Sequence, residues 1–254
     1  MAEIIAITNQ KGGVGKTTTA INLAACLGEA EQRVLLVDFD PQGNASTGVT
    51  KEDVSEHKGI YELLCGLETA EDCIVREAAE GVDLLPSNID LSGAEVELQG
   101  AENMEGRLKA ILDGLRGDYD YILIDCPPSL SVLTVNALTA ADSVIIPVQC
   151  EYYALEGLHQ VLNTIYMVRQ RLNPALRIRG ILYTMYDQRT NLSQQVVEAV
   201  TDGLSERSFK TLIPRNVKLA EAPSYGEPIN VYDRYSRGTE SYRQLAAEIL
   251  GDRG

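Results

Sequence analysis

Several features are missing from this sequence, and each absence removes a class of function. The five cysteines, Cys26, Cys65, Cys73, Cys126 and Cys150, form no CxxC pair. Disulfide stapling and a local metal knuckle are therefore not expected, and an iron–sulfur carrier is disfavoured. Each thiol is expected to be a small buried apolar side chain. Histidine occurs only at His57 and His159, and neither sits in a catalytic constellation with a serine or cysteine nucleophile. No apolar run approaches the roughly 20 residues of a membrane span. Met1-Ala2-Glu3 runs into Ile4-Ile5-Ala6-Ile7 without a basic leader, so a cytoplasmic chain is expected. There is also no helix-turn-helix or zinc-finger pattern to read base edges.

Positive charge is scarce. The formal net charge is -15 with a pI of about 4.6, which opposes long-range attraction to DNA or to an anionic membrane. The deficit is uneven, however. Residues 51–120 hold 6 basic against 18 acidic side chains, whereas residues 177–243 hold 10 against 8. Any surface for a polyanion is expected in the C-terminal third.

What is present fits one large α/β domain spanning residues 1–254, with 44% hydrophobic residues to build its core. Strands are expected at Ile4–Thr8, Val34–Asp38, Val82–Leu85, Tyr121–Asp125, Ser143–Val148, Arg179–Thr184 and Phe209–Ile213. Helical apolar spacing marks Thr17–Ala30, Leu155–Arg171, Leu192–Val200 and Tyr242–Leu250. Short, continuously apolar strands alternating with helices point to a mostly parallel central sheet flanked by helices.

The first strand leads into Lys11-Gly12-Gly13-Val14-Gly15-Lys16-Thr17-Thr18. Three glycines let a tight loop turn its N–H groups inward, and the following helix adds its positive end to the same anion site. Lys16 is suited to reach β and γ phosphates, and Thr17 offers a hydroxyl to Mg²⁺. The usual phosphate-loop pattern asks for glycine where Gln10 stands, so the match departs at one position. Lys11 is an extra cation at the loop's opening. It caps the same nucleotide or, in a face-to-face dimer, extends to the partner's phosphates; the sequence permits both.

Three aspartates end apolar strands. Asp38 and Asp40 follow the second, and Asp125 closes Tyr121-Ile122-Leu123-Ile124. In a parallel sheet such carboxyl ends share one edge, where ligands bind. Asp125 is assigned to water on Mg²⁺, Asp40 to the attacking water and the metal surroundings, and Asp38 to support of either through hydrogen bonds. The expected catalytic groups are therefore Lys11, Lys16 and Asp40, with Thr17, Asp40 and Asp125 around the metal.

The string Thr8 to Thr19, with Val37-Asp38-Phe39-Asp40-Pro41-Gln42-Gly43-Asn44, resembles the ParA/Soj partitioning ATPases. The resemblance continues in Asp125-Cys126-Pro127-Pro128-Ser129, in Pro147 to Gly157 and in Ile213-Pro214-Arg215-Asn216-Val217. It implies a P-loop NTPase fold and an ATP-driven switch that uses Mg²⁺. It also implies an ATP-dependent homodimer, non-specific binding of double-stranded DNA and stimulation by a ParB-like centromere-binding partner, in a cytoplasmic, nucleoid-associated setting. In that light Lys11 looks like the family's deviant Walker lysine that crosses the dimer, and Gly12 like its close-contact glycine. Arg189 and Lys218 resemble basic positions used on DNA. Pro214-Arg215 and Thr184-Met185 resemble segments that approach adenine. The ending Gly251-Asp252-Arg253-Gly254 lacks the basic amphipathic tail of a membrane-bound septum regulator, so no membrane partner is expected. Alternatives are an ATPase that positions a protein cargo over the nucleoid and a non-catalytic nucleotide-binding scaffold.

Overall fold

The computed structural model describes residues 1–97, 103–151, 154–204 and 208–251. Tyr152 and Tyr153, within the Pro147 to Gly157 run, and the tail residues Asp252, Arg253 and Gly254 lie outside the described residues. Along the chain, β1 (Glu3–Ile7), α1 (Lys16–Glu29), β2 (Val34–Asp38), α2 (Asn44–Val49), α3 (Ile60–Cys65) and α4 (Ala70–Cys73) lead to β3 (Val75–Ala79) and β4 (Val82–Leu85). Then come α5 (Leu91–Glu97), α6 (Arg107–Leu115), β5 (Tyr121–Asp125), α7 (Val132–Ala140), β6 (Ser143–Gln149) and α8 (Ala154–Arg171). The last third holds β7 (Arg177–Tyr186), α9 (Asn191–Leu204), β8 (Ser208–Pro214), α10 (Val217–Glu221), α11 (Ile229–Tyr232) and α12 (Arg237–Gly251).

The strands form one eight-stranded sheet in the order β3-β4-β2-β5-β1-β6-β7-β8. Every neighbouring pair is parallel except β3 with β4. The apolar strands have two faces to bury, and alternate residues do so. Ile4, Ala6, Leu35, Val37, Ile122 and Ile124 face one core with α3, α6, α7, α8 and α9. Ile5, Ile7, Val34, Leu36, Tyr121 and Leu123 face the other, under α1, α2 and α12. Because α1 leaves β1 over one face and α7 leaves β5 over the other, a crevice opens at the carboxyl ends of these neighbouring strands.

The expected strands and helices are all present, and α12 starts five residues before the apolar spacing does. Ser236 sets that start: its Oγ accepts the Thr239 N–H at 3.1 Å and its carbonyl accepts the Glu240 N–H at 3.1 Å. The antiparallel strand β3 was not expected. Its sequence, Val-Arg-Glu-Ala-Ala, is short, charged and irregular in register, with Glu77 at a φ of 52°, features that protect a sheet edge from further pairing. At the opposite edge, the Glu248 carboxylate of α12 accepts the backbone N–H groups of Lys210 (2.8 Å) and Thr211 (3.2 Å) on β8. Four cysteines are buried as expected. Cys65 is only half-buried, and its Sγ donates to Glu97 Oε2 at 3.1 Å.

Close packing places α1 against the β3–β4 turn. A Cβ added at Gly28 would lie 2.1 Å from the Glu80 carbonyl oxygen, and the same turn uses Gly81 at a φ of 69°. Backbone cannot give way as a flexible side chain does. Gly28→Ala is therefore expected to lower stability by about 1–3 kcal/mol, to be read as a shift in the urea midpoint at unchanged slope.

Candidate active site

The loop from β1 to α1 turns because Gly13 and Gly15 take left-handed φ values of 74° and 87°, conformations that a Cβ disfavours. Gly15 is the N-cap of α1. The loop is anchored on three sides. The Thr184 hydroxyl on β7 donates to the Val14 carbonyl (2.8 Å), Asn9 Nδ2 donates to the Pro147 carbonyl on β6 (2.7 Å), and Gln10 Nε2 donates to Thr164 Oγ1 on α8 (2.9 Å). Gly12 lies outside the left-handed region that Gly13 and Gly15 occupy, so its conformation does not require glycine; it is exposed, and a Cβ there would meet nothing within 4 Å.

Lys16 is buried on the first turn of α1, and its Nζ donates to the Lys11 carbonyl at 3.3 Å. Burial lowers its pKa, while Asp125, Cys126 and Asp40 pull it back up. The charge thus rests on the loop backbone where a phosphate would replace it. Lys11 turns the other way: its Nζ pairs with Glu151 Oε2 at 3.2 Å in the loop between β6 and α8. In a half-exposed pair the energetic gain is small, so the contact matters for where it holds the ammonium.

Parallel pairing brings the three aspartates together. Asp38 and Asp125 are register partners on β2 and β5, and Asp125 is level with Ile7 on β1. Asp38 is fully buried. Its Oδ2 accepts both the N–H and the hydroxyl of Ser46 at 2.7 Å, and its Oδ1 accepts the Asp40 N–H at 3.2 Å. Ser46 Oγ in turn accepts the Ser87 N–H at 2.9 Å. Asp38 therefore holds the start of α2 and the loop bearing Asp40. The Asp40 carboxylate also accepts the Gln42 N–H at 3.0 Å.

Unlike Asp38 and Asp40, Asp125 has no hydrogen-bond partner for either of its buried carboxylate oxygens. Burial first, and then the charge of Asp38, push its pKa well up; the Thr17 hydroxyl, near but out of hydrogen-bonding geometry, and Lys16 act in the opposite direction. An unpartnered buried carboxylate is costly unless a cation or donor meets it, so the residues fit Mg²⁺. Thr17 would offer it a hydroxyl, with Asp125 and Asp40 placed to hold its water. Among the described residues no three His, Cys, Asp or Glu side chains stand together as a metal site, so the remaining oxygens must come from phosphate and water. When bound, the ion neutralises phosphate charge.

Beside the loop lies a largely apolar cavity of about 340 Å³. Gly15 and Thr18 of the loop and first turn of α1 line it, together with Thr184, Met185, Pro214 and Arg215. These are the segments expected near a base. Met185 has a φ of 51°, a strained conformation for a non-glycine residue. Tyr242 of α12 also lines the cavity and shares a 3.2 Å hydrogen bond with Thr19. Nothing local in the sequence marked Tyr242 or the Lys11 partner Glu151, because their neighbours come from distant segments. Arg189 and Lys218 are not part of this cluster. Arg189 pairs with Asp187 at 2.8 Å, and Lys218 pairs with Glu221 at 2.9 Å and lies 5.4 Å from the Tyr232 ring centre.

Residues 2–178 match the family model described as an AAA domain. The chain is 55% identical to the sporulation initiation inhibitor protein Soj of Bacillus subtilis, covering 99% of this chain and all of that one. It is 52% identical to the chromosome partitioning protein ParA of Myxococcus xanthus, covering 98% and 88% respectively. The chain belongs to the ParA/Soj family of partitioning ATPases. As a ParA/Soj protein it binds and hydrolyses ATP with Mg²⁺. Among solved structures it is similar to cobyrinic acid a,c-diamide synthase from Mycobacterium smegmatis, whose crystals held an ATP analogue and magnesium. That similarity is a TM-score of 0.86 at 41% identity, over 98% of this chain and 95% of that one. Among the described residues no helix of this ParA/Soj chain is long and apolar enough to cross a membrane.

Burial raises the Asp38 pKa from 3.8 to about 6 against the opposing hydrogen bonds from Ser46 and Asp40. Between these values the unfolded chain loses the proton while the folded chain keeps it, so this residue's contribution to stability declines as pH rises through about 4 to 6. In nucleotide-free protein, the stability of Asp38→Asn relative to wild type is expected to rise across that window. Urea melts at several pH values would reveal it; a constant difference would argue against a raised pKa.

Proposed function

We propose that this chain is a single-domain, ATP-driven DNA-partitioning switch, cytoplasmic and nucleoid-associated. With Mg-ATP, two copies close face to face and bind double-stranded DNA without sequence preference. A ParB-like partner then accelerates hydrolysis and release. The observation that carries this reading is the pairing of a spare lysine with a spare glycine. Lys11 is held by Glu151 at 3.2 Å rather than folded toward its own phosphate site. Gly12 is exposed, and no neighbour within its own chain would obstruct a Cβ. Both features make sense when a second molecule supplies the missing surface.

In this scheme the loop amides, Lys16, Thr17 and Thr18 hold the triphosphate, and Lys11 adds positive charge from the opposite copy. Thr184, Met185, Pro214 and Arg215 support the base. Asp40 orients the attacking water, and Asp125 steadies the water around Mg²⁺. Most catalysis of phosphoryl transfer is positioning and electrostatic stabilisation. The hydrogen bond from Asp40 N–H to Asp38 is therefore a functional constraint as well as a structural one.

Removing the Lys16 charge affects ground and transition states together, so Lys16→Ala is expected to lose both ATP binding and turnover. Asp40→Ala is expected to keep substantial binding yet lose hydrolysis. Calorimetry with single-turnover kinetics separates the two, and equal loss of both in Asp40→Ala would reject its assignment. Gel retardation with ATP and with ADP across a salt series, comparing wild type with Lys16→Ala, tests the switch itself.

For Gly12→Val the expected result is a soluble monomer that still takes nucleotide but does not close into a dimer. Light scattering with a slowly hydrolysed ATP analogue is the measurement, and an unchanged dimer fraction would remove Gly12 from the interface.

A further inference from the structure

Pro86 and Ser87, which follow β4, stand behind the loop that carries Asp40. Ser87 meets that loop from two directions. Its N–H donates to the Ser46 hydroxyl at 2.9 Å, and its carbonyl oxygen lies so near Gly43 that a Cβ there would come within 3.1 Å of it. Gly43 is the left-handed N-cap of α2, at a φ of 64°, and its N–H closes the turn on the Asp40 carbonyl at 2.9 Å. Pro86 is itself fixed. Its carbonyl accepts the Ile60 N–H at 2.9 Å at the start of α3, and no Cβ would fit between it and Gly59.

One hydroxyl joins this backstop to the aspartates. Ser46 is buried in the first turn of α2. Its Oγ accepts from Ser87 and donates to Asp38 Oδ2 at 2.7 Å, an oxygen to which the Ser46 N–H also donates at 2.7 Å. The hydroxyl is thus used both as donor and as acceptor. Asp38 lies in register with Asp125, whose like charge repels it, so its donors decide which way its carboxylate turns. The other oxygen, Oδ1, accepts the Asp40 N–H at 3.2 Å. A rotation of the Asp38 carboxylate is therefore felt at the backbone of Asp40. Ser46 itself is not among the residues lining the nucleotide cavity.

We propose that Ser46 is a positioning residue for hydrolysis, acting through Asp38 on Asp40. This role rests on the reading of Asp40 as the group that orients the attacking water, and it names what holds that group in place. The chain of contacts runs from the Ser87 N–H to the Ser46 hydroxyl, the Asp38 carboxylate and the Asp40 N–H, and every bond in it is buried. Removing the hydroxyl leaves Asp38 Oδ2 with one donor instead of two and takes the acceptor from the Ser87 N–H. In-line attack is sensitive to such loosening, since a misplacement of about 1 Å can cost about a hundredfold in rate. Affinity for ATP draws instead on the phosphate loop and the cavity beside it, which Ser46 does not touch. Loss of the hydroxyl therefore lowers turnover while leaving nucleotide affinity in place. A side chain that only stiffened α2 would lower stability without slowing the folded protein.

Single-turnover hydrolysis of ATP, and calorimetric titration with a slowly hydrolysed ATP analogue, test the assignment on the full chain with Mg²⁺. Ser46→Ala is expected to hydrolyse about 10- to 100-fold more slowly, at an analogue affinity within about twofold of wild type. Ser46→Thr, which keeps a hydroxyl on the same carbon, should recover most of the rate. Ser46→Cys is close to serine in size but offers only a weak donor and acceptor, so it should stay slow, and it answers the question if Ser46→Ala does not fold. A wild-type rate in folded Ser46→Ala or Ser46→Cys overturns the proposal, whatever the urea midpoint does. So does an equal loss of rate and affinity, which would make Ser46 a support of the whole nucleotide site. If Asp40→Ala keeps the wild-type rate, the Asp40 assignment falls and Ser46 with it; if Asp40→Ala is slow and Ser46→Ala is not, Ser46 alone is removed.

Discussion

Ile7 and Asp38 each stand level with Asp125 across parallel ladders, and the chemistry of the molecule depends on that register. A one-residue slip of β5 would turn Asp125 to the opposite face and leave the phosphate loop without its neighbouring carboxylate. The register is secured by burial on both sides, since no residue of β2 or β5 reaches solvent. The same two layers of helix that exclude water from the core also remove it from Asp38 and Asp125. Both aspartates are thus placed and desolvated by one arrangement, and Asp125, which has no hydrogen-bond partner, is left in need of a cation.

Much of this was legible in the sequence because it is local. Val34-Leu35-Leu36-Val37-Asp38 has to be a buried strand ending in an acid, and three glycines before Lys16-Thr17 have to be a tight loop at a helix start. What escaped was non-local or weakly patterned. The edge strand Val75–Ala79 carries arginine and glutamate where a central strand would be apolar. Glu151 gains its meaning only from Lys11, 140 positions earlier. Tyr242 lies on the core face of α12, and helical periodicity marks that face without saying that a cavity meets it.

The overall acidity of the chain is a poor guide to its local surfaces. Carboxylates are concentrated in residues 51–120, on the half of the sheet that carries β3 and β4, while residues 177–243, where basic side chains are in slight excess, build the other end. A protein can repel polyanions at long range and still hold one at contact distance, because screening limits the repulsion to about 8–10 Å at ordinary ionic strength. Arg189 illustrates the restraint: its carboxylate neighbour Asp187, held down to a pKa of about 2 by that same arginine, competes with any incoming anion.

The treatment of the two outer strands has a consequence for solubility. An open sheet offers unpaired amides at each margin, and copies that met there would risk stacking strand upon strand into insoluble polymer. Here one margin is broken by charge and irregular pairing, and at the other Glu248 occupies two backbone amides of the outermost strand. Crowding of many copies therefore need not end in amyloid-like growth.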